Sequence, residues 1–119
     1  MKFIEIVVEG KGEALVEISD RNPQTVRGII ERLPLEGRAQ TWQEEIYFAL
    51  PFGLTDENPS PQAEAGDVSY WTPGSAFCIF YGSSQPYSAV NHIGKVVRGL
   101  DIFFGIEDGD RIILRRGEP

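Results

Sequence analysis

The chain has 119 residues, of which 41% are hydrophobic and 11% aromatic, and its formal net charge is −7 at pH 7. These values favour one globular domain over residues 1–119 and exclude a disordered chain or two full-sized domains. No apolar run approaches the roughly 20 residues of a membrane helix and the single cysteine cannot form a disulfide within the chain, so we expect a cytoplasmic protein with no membrane partner.

The first third of the chain predicts a hairpin and one helix. Residues 2–8 and 13–18 are rich in apolar residues and flank a glycine-containing turn, which is typical of two antiparallel strands. Asn22 and Pro23 suit the start of a helix, and the segment that follows carries apolar residues at helical spacing before a proline ends it. We therefore expect a helix over residues 23–33. Its apolar stripe consists of Val26, Ile29, Ile30 and Leu33.

The rest of the chain alternates between short apolar runs and polar loops. The loops span residues 53–65 and 82–91, and residues 100–104 fit either one helical turn or an apolar bend. Because closing a sheet removes its exposed edges, about eight short strands predict a mainly-β barrel whose helix covers one open end or face. The strands expected after the helix are residues 35–40, 46–50, 66–72, 75–82, 93–97 and 111–115.

The two strands that flank Pro73-Gly74 form the most strongly patterned hairpin in the chain. Side chains of a strand alternate between its two faces, and here both faces are apolar. We therefore expect both faces of residues 75–82 to be covered. One face carries Phe77, Ile79 and Tyr81, and the other carries Ala76, Cys78 and Phe80.

The negative charge is concentrated in the middle of the chain. No Lys or Arg occurs between Arg38 and Lys95, whereas six Asp and Glu residues do. An acidic stretch of this kind argues against nucleic-acid binding, which requires a basic face. Two interpretations remain, namely a solvated acidic surface and a site for cationic ligands.

Few residues have an obvious chemical role. His92 is the only histidine and Cys78 the only cysteine, which excludes a histidine-based zinc cluster, and no phosphate-binding loop or nucleophile motif occurs. We therefore predict no metal, no cofactor and no catalytic residue. Glu44 and Glu45 are neighbours and would point to opposite faces of a strand. Aromatic residues that fill the core, with a few that could line a groove, are Trp42, Tyr47, Phe48, Trp71, Phe77, Phe80, Tyr81 and Tyr87.

Two stretches resemble the cyclophilins, which are barrel-shaped peptidyl-prolyl isomerases, and two more resemble a related family. Residues 74–79 are similar to their Gly-Ser-Gln-Phe-Phe-Ile strand, and residues 93–100 resemble their Phe-Gly-Lys-Val stretch. Residues 41–48 together with 66–71 are more similar to a family of small, uncharacterised cyclophilin-like proteins of bacteria and archaea. The resemblance covers nearly the whole chain and implies a closed, eight-stranded cyclophilin-like barrel with one main capping helix.

The same resemblance does not extend to the isomerase residues. Its register puts Glu44 where cyclophilins carry a catalytic arginine, and a carboxylate cannot donate the hydrogen bond that the arginine supplies. Cys78 takes the place of a phenylalanine of the proline pocket, and Ala76 that of a glutamine. The resemblance therefore implies the groove without the usual activity.

These observations predict a binding module that holds a small molecule or a peptide in the altered groove. Glu44 would pair with a cationic group, and Tyr87 and His92 would lie on a rim loop. The alternatives are an enzyme, either a weak prolyl isomerase or an unrecognised small-molecule activity that uses Glu44 and His92, and a purely structural subunit. The oligomeric state stays open. The predicted ligand-binding residues are Glu44, Ile46, Phe48, Ala76, Cys78, Phe80, Tyr87 and His92.

Overall fold

Nine antiparallel strands and one short helix make up the computed structural model, which describes residues 2–119. The helix, α1, spans Pro23–Ile30, and two 3-10 turns span Thr72–Gly74 and Leu100–Gly105. Of the two possibilities left open for residues 100–104, the structure has the helical turn and not the bend. The strands are β1 Phe3–Val8, β2 Gly12–Ile18, β3 Leu35–Arg38, β4 Gln40–Trp42, β5 Glu45–Ala49, β6 Asp67–Trp71, β7 Ala76–Phe80, β8 Asn91–Arg98 and β9 Arg111–Arg116.

The strands form one sheet that curls into a nearly closed barrel. Its order is β3-β9-β1-β2-β8-β6-β7-β5-β4, and the two outermost strands, β3 and β4, are consecutive in the chain and separated only by the buried Ala39. β3 pairs with β9 and β4 pairs with β5. The expected count of eight strands is therefore corrected to nine, because the segment predicted as one strand changes partner at Ala39.

The helix is shorter than its apolar pattern suggested. It ends at Ile30 rather than at residue 33, and a turn closed by the Leu33 amide and the Ile30 carbonyl (3.2 Å) follows it. Its N-terminus is capped by Glu57 from the long loop, whose carboxylate accepts hydrogen bonds from the amides of Gln24 and Thr25 at 3.2 and 3.0 Å. This contact fixes the helix against the loop over residues 53–65.

Two apolar clusters lie on opposite faces of β7. The larger fills the barrel interior and includes Phe77 and Ile79, with Tyr81 packed partly against it. The smaller lies outside the barrel and contains Ala63, Ala76, Cys78, Phe80 and Val90. The alternation predicted for this hairpin is therefore confirmed, and both faces of β7 are covered as expected.

No helix among residues 2–119 combines the length and the hydropathy that a membrane crossing would require.

Candidate functional site

A pocket opens on the outer face of the barrel, beside the smaller apolar cluster. Its volume is about 250 Å³. Strands β4 to β7 supply one side of it, and the loop between β7 and β8 supplies the other. The lining residues are Trp42, Glu45, Tyr47, Trp71, Cys78, Phe80, Pro86, Tyr87 and Val90.

The pocket floor follows from the register of two neighbouring strands. Tyr47 pairs with Cys78, and Glu45 pairs with Phe80. Directly paired residues of an antiparallel sheet point to the same face. The four side chains therefore form two adjacent rows on the outer face of β5 and β7, with Cys78 and Phe80 almost fully buried.

Three aromatic rings surround the mouth of the pocket. The ring of Tyr87 is nearly perpendicular to those of Trp42 and Trp71, with interplanar angles of 84° and 89° and centroids 6.3 Å apart in each case. The Trp71 indole is held in place because its Nε1 donates a hydrogen bond to Ser88 Oγ at 2.7 Å. Tyr87 is 81% exposed, so it covers the pocket from the solvent side.

Glu45 is the only carboxylic acid among the lining residues that the structure describes. The residue is only 7% exposed, and this burial raises the pKa of its carboxyl to about 7, although a hydrogen bond with the Cys78 thiol opposes the shift. Burial, together with the charge of Glu45, also raises the pKa of the Cys78 thiol well above its ordinary range. Near neutral pH the pocket therefore holds a neutral thiol beside a carboxyl that is about half ionised.

Three of the predicted ligand-binding residues line the pocket, and a fourth supports it. Cys78, Phe80 and Tyr87 line it, and Ala76 is buried in the same outer cluster. The alternation of side chains in β7 and the position of Tyr87 in the loop after it had predicted that these residues would lie together.

The placement of Ile46 and Phe48 in the groove is wrong. Both side chains are buried in the barrel interior, on the face of the sheet opposite to the pocket. Alternation does place Ile46 and Phe48 on one face of β5, but that face is the barrel interior, since these two bulky apolar residues fill the barrel. Their neighbours Glu45 and Tyr47 face the pocket instead.

Glu44 does not line the pocket and anchors the rim loop instead. Its Oε1 accepts hydrogen bonds from the Ser83 amide at 2.8 Å and the Ser83 hydroxyl at 3.1 Å. Its own amide donates to Ser84 Oγ at 2.7 Å. Glu44 lies in the turn between β4 and β5, where Gln43 adopts a positive φ of 54°, so its side chain points toward the loop.

His92 lies on β8, in a groove next to the pocket and not on the rim loop where it was expected. Its Nε2 is 2.7 Å from the Gln62 carbonyl, which only accepts, so this nitrogen carries the hydrogen. The Nδ1 is 2.6 Å from Ser69 Oγ, and Asp67 lies 3.9 Å from the same nitrogen. In a catalytic triad the serine and the carboxylate occupy opposite nitrogens. Since both lie on the Nδ1 side and Ser69 is fully buried, this network does not have the arrangement of a catalytic triad.

The sequence missed Glu45, Pro86 and Val90 as pocket residues. For Glu45 the sequence offered one signal: adjacent residues of a strand point to opposite faces, so only one of Glu44 and Glu45 could face a groove. Trp42, Tyr47 and Trp71 were recognised only as members of an aromatic set. Within the described part of the chain, no three His, Cys, Asp or Glu side chains are arranged to hold a metal ion.

A family model and two solved structures all match nearly the whole chain. A family model described as "Cyclophilin-like" matches residues 2–115. The solution structure of the hypothetical protein AF2241 from Archaeoglobus fulgidus is similar, with a TM-score of 0.85 and 35% identity over 98% of this chain and 95% of that one. The structure of McbB in complex with tryptophan has a TM-score of 0.80 at 17% identity, over 98% of this chain and 45% of McbB. No curated protein matches the chain.

Proposed function

The chain belongs to the cyclophilin-like family, and we propose that it is a binding protein that holds a small molecule or one side chain of a peptide in the pocket beside Cys78. The observation that carries this proposal is the pocket itself, whose walls are aromatic and aliphatic and whose one ionisable acid is Glu45. A concave apolar site with few polar groups is the usual form of a ligand-binding site in proteins.

The size of the pocket suits a small ligand, such as one with one or two fused rings. A volume of 250 Å³ is that of about eight water molecules at about 30 Å³ each. McbB, which shares the fold, is known in complex with tryptophan. That complex supports the idea that a protein with this kind of barrel binds a small ligand. At 17% identity, the residues that bind tryptophan in McbB are not assigned to this chain.

The pocket favours binding over prolyl isomerisation. The residues that line it include no Arg, Lys or His within residues 2–119, so no cationic donor is placed to stabilise a twisted prolyl bond. Glu44, which the resemblance aligned with the catalytic arginine, is engaged with Ser83. We therefore expect no acceleration of prolyl isomerisation by this protein.

Titration with indole, a flat neutral probe, tests the proposal. The protein has two tryptophans, and both line the pocket, so their fluorescence reports on its occupancy. We expect a dissociation constant on the order of 1 mM for so small a ligand, and amide chemical-shift changes confined to β5, β7 and the rim loop.

A pocket-filling variant and a matched control locate the bound probe. Cys78→Phe should place a ring in the pocket and abolish the response, whereas Val97→Phe adds the same ring at an exposed position of β8 outside the pocket and should leave it unchanged. Shift changes that map elsewhere, or binding that survives in a folded Cys78→Phe variant, would contradict the proposal.

A further inference from the structure

The aromatic rings at the pocket mouth have the arrangement that recognises a cation. The Tyr87 ring is nearly perpendicular to the rings of both Trp42 and Trp71, and all three residues line one opening, so rings border the pocket on more than one side. Tyr47 and Phe80 add further aromatic surface inside the pocket. Ring faces carry negative electrostatic potential and attract cations within about 6 Å of their centres, and several rings together select alkylated ammonium groups.

The charges of the residues that line the pocket also favour a cation. Every lining residue falls between positions 42 and 90, inside the segment that lacks Lys and Arg. Glu45 as a whole residue is only 7% exposed, and no basic side chain among the described residues pairs with its carboxyl. A buried carboxylate without a partner is costly, so a cationic ligand would supply the missing partner. This observation is independent of the ring geometry.

We infer that the ligand group bound in this pocket is a small alkylated ammonium ion, held by the faces of Trp42, Trp71 and Tyr87 and paired with Glu45. The inference rests on the proposed binding function and specifies its ligand chemistry. Such a group could belong to a free quaternary amine or to a methylated lysine side chain. A trimethylammonium group is within the volume of about 250 Å³ that the pocket provides.

Binding of a cation should depend on the ionisation of Glu45. The titratable groups facing it are the Cys78 thiol from β7, the Tyr47 phenol from its own strand and the Tyr87 phenol from the rim loop, while β4 contributes only the indole of Trp42. Because burial holds the pKa of Glu45 at about 7, its carboxylate forms as the pH rises through neutrality. The affinity for a cation should therefore increase between pH 6 and pH 8.5, and that for a neutral ligand should not.

A comparison of choline with its neutral carbon isostere, 3,3-dimethylbutan-1-ol, distinguishes recognition of the charge from recognition of the shape. Each is titrated at pH 8.5 and at pH 6, with tryptophan fluorescence and amide shifts as readouts. We expect choline to bind at least about tenfold more tightly than the alcohol at pH 8.5. The preference should shrink at pH 6 and in Glu45→Gln, whereas Glu31→Gln, which makes the same change at the exposed end of α1 far from the lining residues, should retain it.

The outcomes distinguish this inference from the proposed function. If choline and the alcohol bind equally, or if Glu45→Gln leaves the preference intact, the cation inference is wrong while the pocket still binds ligands. If indole binds and choline does not, the same conclusion follows. If indole, choline and the alcohol all fail to bind, the proposed function is also wrong.

Two further titrations identify the source of the ammonium group. A short peptide with one trimethyllysine is compared with the same peptide carrying unmodified lysine, and both are compared with free choline. Tighter binding of the methylated peptide than of choline assigns the group to a protein side chain, and the reverse assigns it to a free amine. A methylated peptide that binds no better than the unmodified one, together with no choline binding, overturns the inference.

Discussion

Replacing Glu45 by Gln should change how the stability of the protein depends on pH. Glutamine has nearly the shape of the protonated carboxyl but cannot ionise, so the variant keeps the pocket and removes the charge. The folded protein holds the pKa of Glu45 at about 7, above the ordinary value of 4.5 for a glutamate carboxyl. The stabilising contribution of the neutral carboxyl is therefore fully present below pH 4.5 and is lost as the pH rises through 7.

The size of this effect follows from the two pKa values. The difference between 4.5 and about 7 corresponds to about 3 kcal/mol at 1.36 kcal/mol per pKa unit. Because the pocket opens to solvent, water stabilises part of the charge, and we expect about 2 kcal/mol. Glu45→Gln should therefore gain about 2 kcal/mol over the wild-type protein above pH 8 and nothing below pH 4.5.

Urea unfolding followed by circular dichroism from pH 4.5 to pH 8.5 measures this difference directly. Subtracting the two stability curves removes the titration of groups that both proteins share. Glu31→Gln, at the exposed end of α1, controls for the loss of one negative charge. A difference between wild type and Glu45→Gln that stays constant across this pH range would refute the reasoning, because the carboxyl would then ionise alike in the folded and unfolded chains.

Two further predictions concern packing and thiol chemistry. Gly37→Ala should destabilise the protein by about 1–3 kcal/mol in urea unfolding, because a β-carbon at Gly37 would collide with the Phe48 ring. Gly105→Ala, where an added β-carbon would have no atom within 4 Å apart from its chain neighbours, is the control and should cost less. Cys78 is 2% exposed and its thiol pKa is raised by burial, so Ellman's reagent should label the native protein at pH 8 at least about a hundredfold more slowly than the urea-unfolded protein. Equal labelling rates would show that the thiol is accessible and ionised in the pocket.

The sequence was sufficient to predict the faces of β7, because two-residue alternation separates Phe77 and Ile79 from Cys78 and Phe80 whatever the rest of the chain does. The same rule could not decide the faces of β5. Alternation groups Ile46 with Phe48, but which group faces the barrel depends on what each face packs against. Only the tertiary structure shows that the interior takes these two residues.

The role of Glu45 was hidden for a related reason. In the sequence it is one of two adjacent acids, and nothing local distinguishes it from Glu44. In the structure one acid accepts hydrogen bonds from the rim loop and the other is buried beside a thiol. This difference arises from strand register and from the turn at Gln43, which are properties of the folded chain.

The junction at Ala39 has a consequence for how copies of this protein behave at high concentration. Because the chain switches there from β9 to β5, both of these longer strands have hydrogen-bonded neighbours on each side. The free edges that remain belong to β3 and β4, which have four and three residues. Edges this short give another chain little to pair with, so the barrel resists the edge-to-edge aggregation to which open sheets are prone.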